Sequence, residues 1–277
     1  MRECFRNWFL LNGSPESCEN FSSSRIYSGE SVYEVIRIIN GVPLFFEDHI
    51  KRLKDTAKVR EKSIPFESQE IRNQILQLVE LNHSFMGNVK LVCNYSNSGK
   101  KSPDFLVYFI EHHYPSQNQY SEGVSALLFF AERDYPSAKI INQKLRSVIF
   151  KKLIDTGVYE AVLVDQQGFI TEGSRSNVFF VKDEKVFTAP DGTVLSGIAR
   201  KYILQSCSDQ NIELSFERVH YKKIRNFDAA FISGTSPGLL PLNEIGSLKM
   251  ECSSNIIKVL TRAYNTIVNR YIVENGN

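Results

Sequence analysis

The stretch that decides the fold is Ser137-Ala138-Lys139-Ile140-Ile141-Asn142, in which a lysine lies between a predicted strand and a predicted helix. The apolar run 124–130 is typical of a strand, and the run 143–155 has helical spacing that stops at Thr156-Gly157. A lysine at such a junction can point into a crevice, where burial and neighbouring charges lower its pKa and make it a nucleophile. Most lysines are solvated surface residues, so the role of Lys139 depends on what the rest of the chain provides.

Length and composition indicate a soluble globular protein. The chain has 277 residues, 42% hydrophobic and 23% charged, which suits one large or two medium domains. A net charge of +2 gives no field of one sign, so neither a nucleic acid nor a membrane is expected as a partner. The apolar run 8–11 is too short for a signal peptide or a membrane span.

Cysteine usage favours a reducing compartment. The five cysteines are scattered and include no Cys-x-x-Cys pair, which argues against a disulfide framework and against a thiolate zinc site. We therefore expect a cytoplasmic protein without a bound metal.

The first part of the chain is predicted to be a mixed sheet with two helices. Ser31–Ile39, the turn Asn40-Gly41 and 42–46 form the strongest hairpin pattern, because Asn-Gly supplies the positive φ values of a tight turn. Ser14–Ser24 is predicted to be a loop. Further strands are predicted over 8–12, 89–95 and 105–110, and amphipathic helices over 47–60 and 68–81.

The second part is predicted to contain strands over 124–130, 161–164, 176–181 and 185–189 and helices over 143–155 and 254–274, with 171–177 as a polar turn. Ser196 is the predicted N-cap of a further helix that ends near Ser208. The polar stretch around Tyr114–Glu122 predicts a linker at 119–121 between a domain over 1–118 and a domain over 122–277. Because each half mixes sheet and helix, we predict an α+β fold.

Four other segments could carry chemistry together with Lys139. They are Arg52 on a predicted helix, the carboxylate in Thr171-Glu172-Gly173, and two small-residue segments, Ser196-Gly197-Ile198 and Ser233-Gly234-Thr235-Ser236, that can present N–H groups to an anion. A lysine, a carboxylate, an arginine and two anion cradles are what pyridoxal phosphate requires. A hydrolase nucleophile at Ser236 is excluded because Pro237 lacks the N–H that an oxyanion hole needs.

These segments resemble the fold-type-IV pyridoxal-phosphate enzymes, which include branched-chain aminotransferases, D-amino acid aminotransferases and aminodeoxychorismate lyase. The resemblance runs from about Asn12 to Gly246, and the interval from Lys139 to Glu172 (172 − 139 = 33) also matches. It is carried by the motifs Val32-Tyr33-Glu34-Val35, His49-x-x-Arg52-Leu53, Lys139-x-x-Asn142, Thr171-Glu172-Gly173-x-x-x-Asn177, Ser196-Gly197-Ile198 and Ser233-Gly234-Thr235.

The resemblance implies a small mixed α/β N-terminal domain, a larger β-barrel-like C-terminal domain with flanking helices, and a homodimer with the cofactor in the cleft between the domains. Lys139 is implied to form the Schiff base and carry the Cα proton, and Glu172 to face the pyridine nitrogen. The phosphate would be held by Arg52, the N–H groups of Ile198 and Ala199, and Thr235. Glu34, His49 and Asn142 are expected to be structural hydrogen-bonding residues, and Arg200 an exposed helix residue.

The substrate is less well defined than the cofactor. Residues near the implied substrate position are Tyr33, Tyr95, Lys100, Lys101 and Ser236. Asn94-Tyr95 lacks the arginine that lyases and D-specific enzymes carry there, and Ala199 replaces a threonine found in many relatives. Transamination between an amino acid, possibly branched-chain, and a 2-oxo acid is the favoured activity. Pyruvate elimination by a 4-amino-4-deoxychorismate lyase is the first alternative, and a non-catalytic protein that keeps the fold is the second.

Overall fold

The computed structural model describes residues 3–95, 102–133 and 135–276. The chain divides into two compact units. Unit 1 comprises Met1–His113, Ala138–Ile141 and Val268–Asn277, and unit 2 comprises Tyr114–Ser137 and Asn142–Ile267. The segment Ala138–Ile141, which contains Lys139, therefore belongs to unit 1.

Unit 1 is built on one six-stranded sheet. Its strands are β1 (Trp8–Leu11), β2 (Ser14–Ser17), β3 (Glu30–Ile39), β4 (Val42–Pro43), β5 (Gly87–Tyr95) and β6 (Asp104–Ile110). Its helices are α1 (Ser24–Tyr27), α2 (Phe46–Val59) and α3 (Ser68–Leu81). The strand order is β2-β1-β6-β5-β3-β4 and every pairing is antiparallel, so the predicted mixed sheet is wrong for this unit.

Side chains of β3 alternate between the two faces of the sheet of unit 1, and each face is covered by an apolar cluster. Val32, Ile36 and Ile38 point to one face and pack with apolar residues of α2 and α3. Tyr33 points to the other face, where it packs with a second cluster that includes Val92 and Leu106. The predicted β3–β4 hairpin is confirmed, with φ of 52° at Asn40 and 80° at Gly41.

The segment Ala138–Ile141 pairs with the start of β3 and so extends the sheet of unit 1 by a few residues. Ile140 forms an antiparallel bridge with Val32. The Tyr33 N–H donates to the Lys139 carbonyl at 3.1 Å, and the Ile141 N–H donates to the Ser31 carbonyl at 3.1 Å. These bonds fix the backbone on both sides of Lys139.

Unit 2 is built on a nine-stranded sheet. Its strands are β7 (Val124–Phe130), β8 (Glu160–Val164), β9 (Ile170–Gly173), β10 (Asn177–Lys182), β11 (Lys185–Thr188), β12 (Leu214–Phe216), β13 (Ala229–Gly234), β14 (Gly238–Ile245) and β15 (Leu248–Lys249). Its helices are α4 (Gln117–Glu122), α5 (Gln143–Thr156), α6 (Ile198–Asp209) and most of α7 (Asn255–Asn275), whose last residues belong to unit 1.

The sheet of unit 2 curls into a half-barrel. Its order is β12-β11-β10-β13-β14-β7-β8-β9, with β15 on β14. Residues 174–176 alone connect β9, at one end of this order, to β10 near the other end, so the sheet has to curve back on itself. Apolar residues from β7, β8, β10, β13 and β14 fill the concave core. The α+β prediction with a barrel-like second sheet and flanking helices is confirmed.

Several local predictions are wrong. Ser14–Ser24 is not a loop, because Ser14–Ser17 pairs with β1 and Cys18–Asn20 forms a 3₁₀ helix. Of the predicted turn 171–177, residues 171–173 are part of β9 and Asn177 begins β10, so the turn is confined to 174–176. β14 was not predicted, and its Pro241 is the reason, since proline is rare inside a sheet. The predicted linker residues 119–121 lie within a short helix, α4, and the predicted domain boundary stays a prediction.

The expectation of unpaired cysteines is also wrong for one pair. Cys4 and Cys18 form a disulfide with a Cα–Cα distance of 5.8 Å. The β1–β2 hairpin brings them together, because Trp8 pairs with Ser17 and the Cys18 N–H donates to the Asn7 carbonyl. Cys93 and Cys207 are free and buried, and burial raises the pKa of each thiol to about 12. Within the described ranges, no helix is long and apolar enough to cross a membrane.

A tyrosine from α7 caps the start of α2, which leads to a first prediction. The N-cap, Phe45, is left-handed (φ 53°) and no side chain of its own caps the helix. Instead the Tyr271 hydroxyl accepts from the Phe46 N–H at 2.9 Å and donates to Glu47 Oε2 at 2.7 Å. Tyr271→Phe should lower the free energy of unfolding by about 1 kcal/mol, as loss of a helix cap does, measured by urea denaturation.

The matched control is Tyr221→Phe, which removes a hydroxyl that makes no hydrogen bond among the described residues. Equal stability of the wild type and Tyr271→Phe would show that this hydroxyl does not cap α2.

Candidate active site

Lys139 lies in unit 1 on the segment paired with β3, and its side chain is half-buried. Its ammonium nitrogen lies 5.0 Å from the centroid of the Tyr33 ring. Its backbone N–H donates to Thr56 Oγ1 on α2 at 3.4 Å. The structure therefore brings together two of the predicted site residues, Lys139 and Tyr33, which are distant in sequence.

A buried charge cluster formed by Glu34, His49 and Arg52 lies in the same unit. Glu34 accepts from Arg52 Nε at 2.7 Å and Arg52 Nη2 at 2.8 Å, a bidentate pair, and bonds His49 Nδ1 at 2.9 Å. Spacing of three residues places His49 and Arg52 on one face of α2. The hydrogen bonding expected of Glu34 and His49 is present, and it fixes the direction of the Arg52 side chain.

Burial and neighbouring charges shift the pKa values of Glu34 and His49. Burial raises the pKa of Glu34, but the Arg52 guanidinium and the hydrogen bonds from His49 and Arg52 outweigh it and hold that pKa below its usual range. Burial lowers the pKa of His49, and the positive charges of Arg52 and Lys139 add to the lowering, although Glu34 opposes it. A neutral imidazole, an ionised carboxylate and a guanidinium therefore coexist near Lys139.

Glu172 lies in unit 2 on β9 and is 3% exposed. Arg133 Nε lies 3.2 Å from Glu172 Oε1, and the Leu195 N–H donates to Glu172 Oε2 at 3.4 Å. Arg133 also donates to the Ser174 carbonyl at 2.9 Å. The sequence did not identify Arg133; its position just after the apolar strand β7 was the available indication. The ion pair offsets the cost of burying the Glu172 charge.

A second buried carboxylate, Glu160, shapes the turn that follows Glu172. It is 1% exposed and accepts hydrogen bonds from Ser174 Oγ at 2.5 Å and Ser176 Oγ at 2.8 Å. A Cβ atom at Gly173 would lie 2.0 Å from Ser176 Oγ, so the close turn requires glycine at this position. Glu160 was also missed from the sequence.

The start of α6 is capped by Gly197, so the prediction of Ser196 as the N-cap is wrong. The reason is Asn177, which donates to the Leu195 carbonyl at 2.9 Å and whose Oδ1 would lie 2.0 Å from a Cβ atom at position 197. Gly197 has no side chain to cap α6, so the helix begins at Ile198 and Ala199 without a side-chain acceptor from its N-cap residue.

Arg200 is buried rather than exposed, which corrects the sequence expectation. It is 3% exposed, donates to Asp191 Oδ1 at 2.5 Å and to the Ala189 carbonyl at 2.9 Å. These contacts hold the loop before α6 and leave Arg200 a structural residue.

β13 and the turn after it contribute a buried hydroxyl and two further small polar residues. Ser233 pairs with Asn177 in the sheet, and its buried hydroxyl has no hydrogen-bond partner among the described residues. Thr235 and Ser236 follow it in the turn that leads to β14. A helix start without a side-chain cap and an unsatisfied hydroxyl favour the binding of an anion in this part of unit 2.

Among the predicted substrate residues, Tyr33 and Tyr95 have contacts that the structure describes. Tyr95 ends β5, where its hydroxyl donates to the Ser63 carbonyl at 2.9 Å and burial raises its pKa above the usual range. Tyr33 lies beside Lys139 as described above. Lys100 and Lys101 lie outside the described residues.

Comparison with known proteins identifies the fold and the family of this chain. The fold is that of the fold-type-IV aminotransferases. It matches the branched-chain amino acid aminotransferase of Escherichia coli with a TM-score of 0.84, at 21% identity over 95% of each chain. The family model for amino-transferase class IV matches residues 31–245. The chain therefore belongs to the class IV aminotransferases.

Two further similar proteins carry the names of different activities. The D-alanine aminotransferase of Bacillus licheniformis is 29% identical over 226 residues, which is 78% of this chain and 79% of the relative. A putative 4-amino-4-deoxychorismate lyase from Legionella pneumophila matches with a TM-score of 0.77 at 18% identity, over 86% of this chain and 91% of that chain.

The charge cluster generates a prediction about pH. His49 stays neutral in the folded chain, whereas in the unfolded chain it takes up a proton near its ordinary pKa of 6.5. The unfolded state therefore binds more protons below that pH, and stability falls as the pH drops; the lowered pKa of Glu34 adds a further loss in more acidic solution. His49→Asn keeps an N–H for Glu34 but cannot titrate. Between pH 7.5 and 5.5 it should lose about 1 kcal/mol less stability than the wild type.

Urea denaturation at the two pH values measures this difference. The control is His113→Asn, because His113 is exposed, and it should follow the wild type. If His49→Asn loses as much stability as the wild type on acidification, His49 is not held neutral by the fold.

Proposed function

We propose that this class IV aminotransferase uses pyridoxal 5′-phosphate, held covalently by Lys139, to move an amino group between an amino acid and a 2-oxo acid. The observation that carries the proposal is the placement of Lys139. Two backbone hydrogen bonds fix its segment on β3, and its amine lies beside Tyr33 in the unit that contains the Arg52 cluster.

The residues present fit the phosphate of this cofactor. The unsatisfied hydroxyl of Ser233 and the α6 start without a side-chain cap are features that a bound anion would satisfy. We assign the phosphate to Arg52, the N–H groups of Ile198 and Ala199, and Thr235. Since position 199 is alanine, it supplies its backbone N–H alone.

We assign Glu172 to the pyridine nitrogen. Its carboxylate is buried and oriented by Arg133 and by the Leu195 N–H, so it is available as a fixed acceptor for a ring N–H. Bound pyridoxal phosphate supplies a conjugated ring that takes up the electron pair of the broken Cα–H bond. Arg133 acts through Glu172 and is a positioning residue.

Lys139 is assigned the proton transfer. Its amine has to lose a proton to act as a base, and positive charge close by favours the neutral amine. Arg52 supplies such a charge in the same unit, and Lys139 and Arg52 both contribute to the lowered pKa of His49. Lys139 Nζ would take the Cα proton of the bound amino acid and return it to the cofactor carbon.

The substrate class is an amino acid paired with a 2-oxo acid, with Tyr33, Tyr95, Ser236, Lys100 and Lys101 as the residues that contact it. The lyase alternative keeps the same lysine but eliminates pyruvate. Asn94 argues against it, because it stands where the lyases carry an arginine and its side chain is engaged with Ser31 Oγ at 2.7 Å.

We further propose that the protein is a homodimer and that it acts in the cytoplasm, as the family resemblance implies. The Cys4–Cys18 disulfide opposes the second assignment, since such bonds persist in oxidising compartments.

Covalent attachment at Lys139 is directly testable. Borohydride reduction of the protein loaded with pyridoxal phosphate should fix the cofactor to Lys139, identified by mass spectrometry of proteolytic peptides. Lys139→Ala should retain no cofactor after reduction and denaturation. Lys144→Ala is the control, because Lys144 is an exposed residue of α5, and should behave like the wild type. Attachment at Lys144 or Lys151 would overturn the assignment.

The form in which the bound cofactor is left after reaction with a donor separates a transaminase from a lyase. An amino donor alone, from a panel of L- and D-amino acids, should convert the bound cofactor to its pyridoxamine form, followed by absorbance. Added 2-oxoglutarate or pyruvate should then restore the starting spectrum, because transamination needs an acceptor and elimination does not. Pyruvate release from aminodeoxychorismate, with no amino acid producing the pyridoxamine form, would favour the lyase.

A further inference from the structure

The backbone turns sharply at Lys139. The Ile140 N–H donates to the Ala138 carbonyl at 3.1 Å, a bond between residues two positions apart that makes Lys139 the central residue of a γ-turn. Lys139 does not have a positive φ angle, so this is the inverse γ-turn, which an L-residue adopts without strain. The side chain of Lys139 points away from the closed turn, and its amine lies 5.0 Å from the centroid of the Tyr33 ring.

Both backbone groups of Lys139 are bonded to other elements of unit 1. Its carbonyl accepts from the Tyr33 N–H of β3 at 3.1 Å, and its N–H donates to Thr56 Oγ1 of α2 at 3.4 Å. The single bond that closes a γ-turn leaves the turn free to pivot as a whole. The strand and the helix remove that freedom, because they hold the turn from two directions.

Thr56 is a residue that packing alone would not select at its position. It is 2% exposed, and its helical neighbours Leu53 and Ala57 belong to an apolar core cluster. A buried hydroxyl costs free energy unless it is hydrogen-bonded, and threonine is a weaker helix former than leucine or alanine. The bond from the Lys139 N–H offsets that cost. The hydroxyl therefore indicates that this face of α2 has to supply an acceptor.

The helix that carries Thr56 also carries Arg52, one turn earlier. A spacing of four residues places the two side chains on one face of α2, about 6 Å apart along the helix axis. The bidentate pair with Glu34 fixes the direction of Arg52. One helix therefore sets the separation between the arginine assigned to the phosphate and the anchor of Lys139.

We propose that Thr56 is a positioning residue that binds the Lys139 N–H and so keeps the amine of Lys139 at a fixed place relative to Arg52. Thr56 acts through the backbone of Lys139. The consequence for turnover rests on the proposed function, because it requires that Lys139 carries the cofactor; the anchor itself does not. Since a small misplacement of a reacting group slows a reaction strongly, loss of the anchor should lower kcat and leave substrate binding nearly unchanged.

Amide hydrogen exchange of Lys139 in the full chain measures the anchor directly. Thr56→Val keeps the branched shape and removes the acceptor, so the Lys139 N–H should exchange about tenfold faster than in the wild type, as loss of one hydrogen bond implies. Thr56→Ser keeps the hydroxyl and should exchange within about twofold of the wild type. Unchanged exchange in Thr56→Val, or equal acceleration in Thr56→Ser, would overturn the proposal.

The matched control is Thr188→Val in unit 2. Thr188 is also 2% exposed, and its hydroxyl donates to the Val178 carbonyl at 2.9 Å. The control loses a buried hydroxyl as Thr56→Val does, but Lys139 should exchange at the wild-type rate. Acceleration equal to that in Thr56→Val would trace the effect to general destabilisation and overturn the assignment. Thr56→Ala, which also lacks the hydroxyl, takes the place of Thr56→Val if the valine variant does not fold.

Steady-state kinetics of the protein loaded with pyridoxal phosphate test the positioning role. Thr56→Val should lower kcat about tenfold and change the KM for the amino donor by less than about twofold. Thr56→Ser should restore kcat. Faster amide exchange in Thr56→Val with an unchanged kcat would overturn the positioning role.

The inference and the proposed function can fail separately. Transamination with wild-type kcat in Thr56→Val overturns the role of Thr56 and leaves the proposed function standing. A wild type that neither attaches pyridoxal phosphate at Lys139 nor transaminates overturns the proposed function, while the exchange rates still decide whether Thr56 anchors Lys139.

Discussion

Two backbone hydrogen bonds between β3 and the segment 138–141 fix the position of Lys139, on which the proposed chemistry depends. They join Tyr33 to Lys139 and Ile141 to Ser31, so a piece of chain whose neighbours on both sides belong to unit 2 is held in unit 1. Immediately afterwards Asn142 Oδ1 accepts from the Leu145 N–H at 3.1 Å and starts α5. A lysine in an unattached connection would sample many positions, and ordering it at each turnover would cost conformational entropy.

The buried carboxylates differ in how the fold compensates them. Glu34 has a bidentate guanidinium and an imidazole, and Glu172 has a guanidinium and a backbone N–H. Glu160 accepts from serine hydroxyls and backbone amides. Charged partners keep the first two carboxylates ionised despite their burial, whereas the neutral partners of Glu160 suit a structural turn.

Long periodic elements were predictable from the sequence, and short paired ones were not. α3 was predicted at its observed bounds because its apolar spacing is regular over 14 residues. β2 has the sequence Ser-Pro-Glu-Ser, without any apolar alternation, and becomes a strand because β1 offers it hydrogen bonds. The preference of a residue such as Pro15 is overridden there by tertiary pairing.

The residues of the candidate site also include some that were predictable from the sequence and some that were not. The prediction of Lys139, Glu172 and Arg52 as site residues came from family motifs, because the proposed cofactor chemistry requires these residue types. Arg133 was missed because an ion pair between distant residues leaves no local pattern.

The contact between Gly197 and Asn177 also bears on how this sequence can change over time. A side chain at position 197 collides with Asn177 Oδ1, while a shorter residue at 177 gives up the bond to the Leu195 carbonyl. Each single exchange passes through a less stable protein, and a tolerated change at 197 requires a simultaneous one at 177 together with a new anchor for the loop. The residues at positions 177 and 197 are thus energetically coupled, so that the choice at one position restricts the choice at the other.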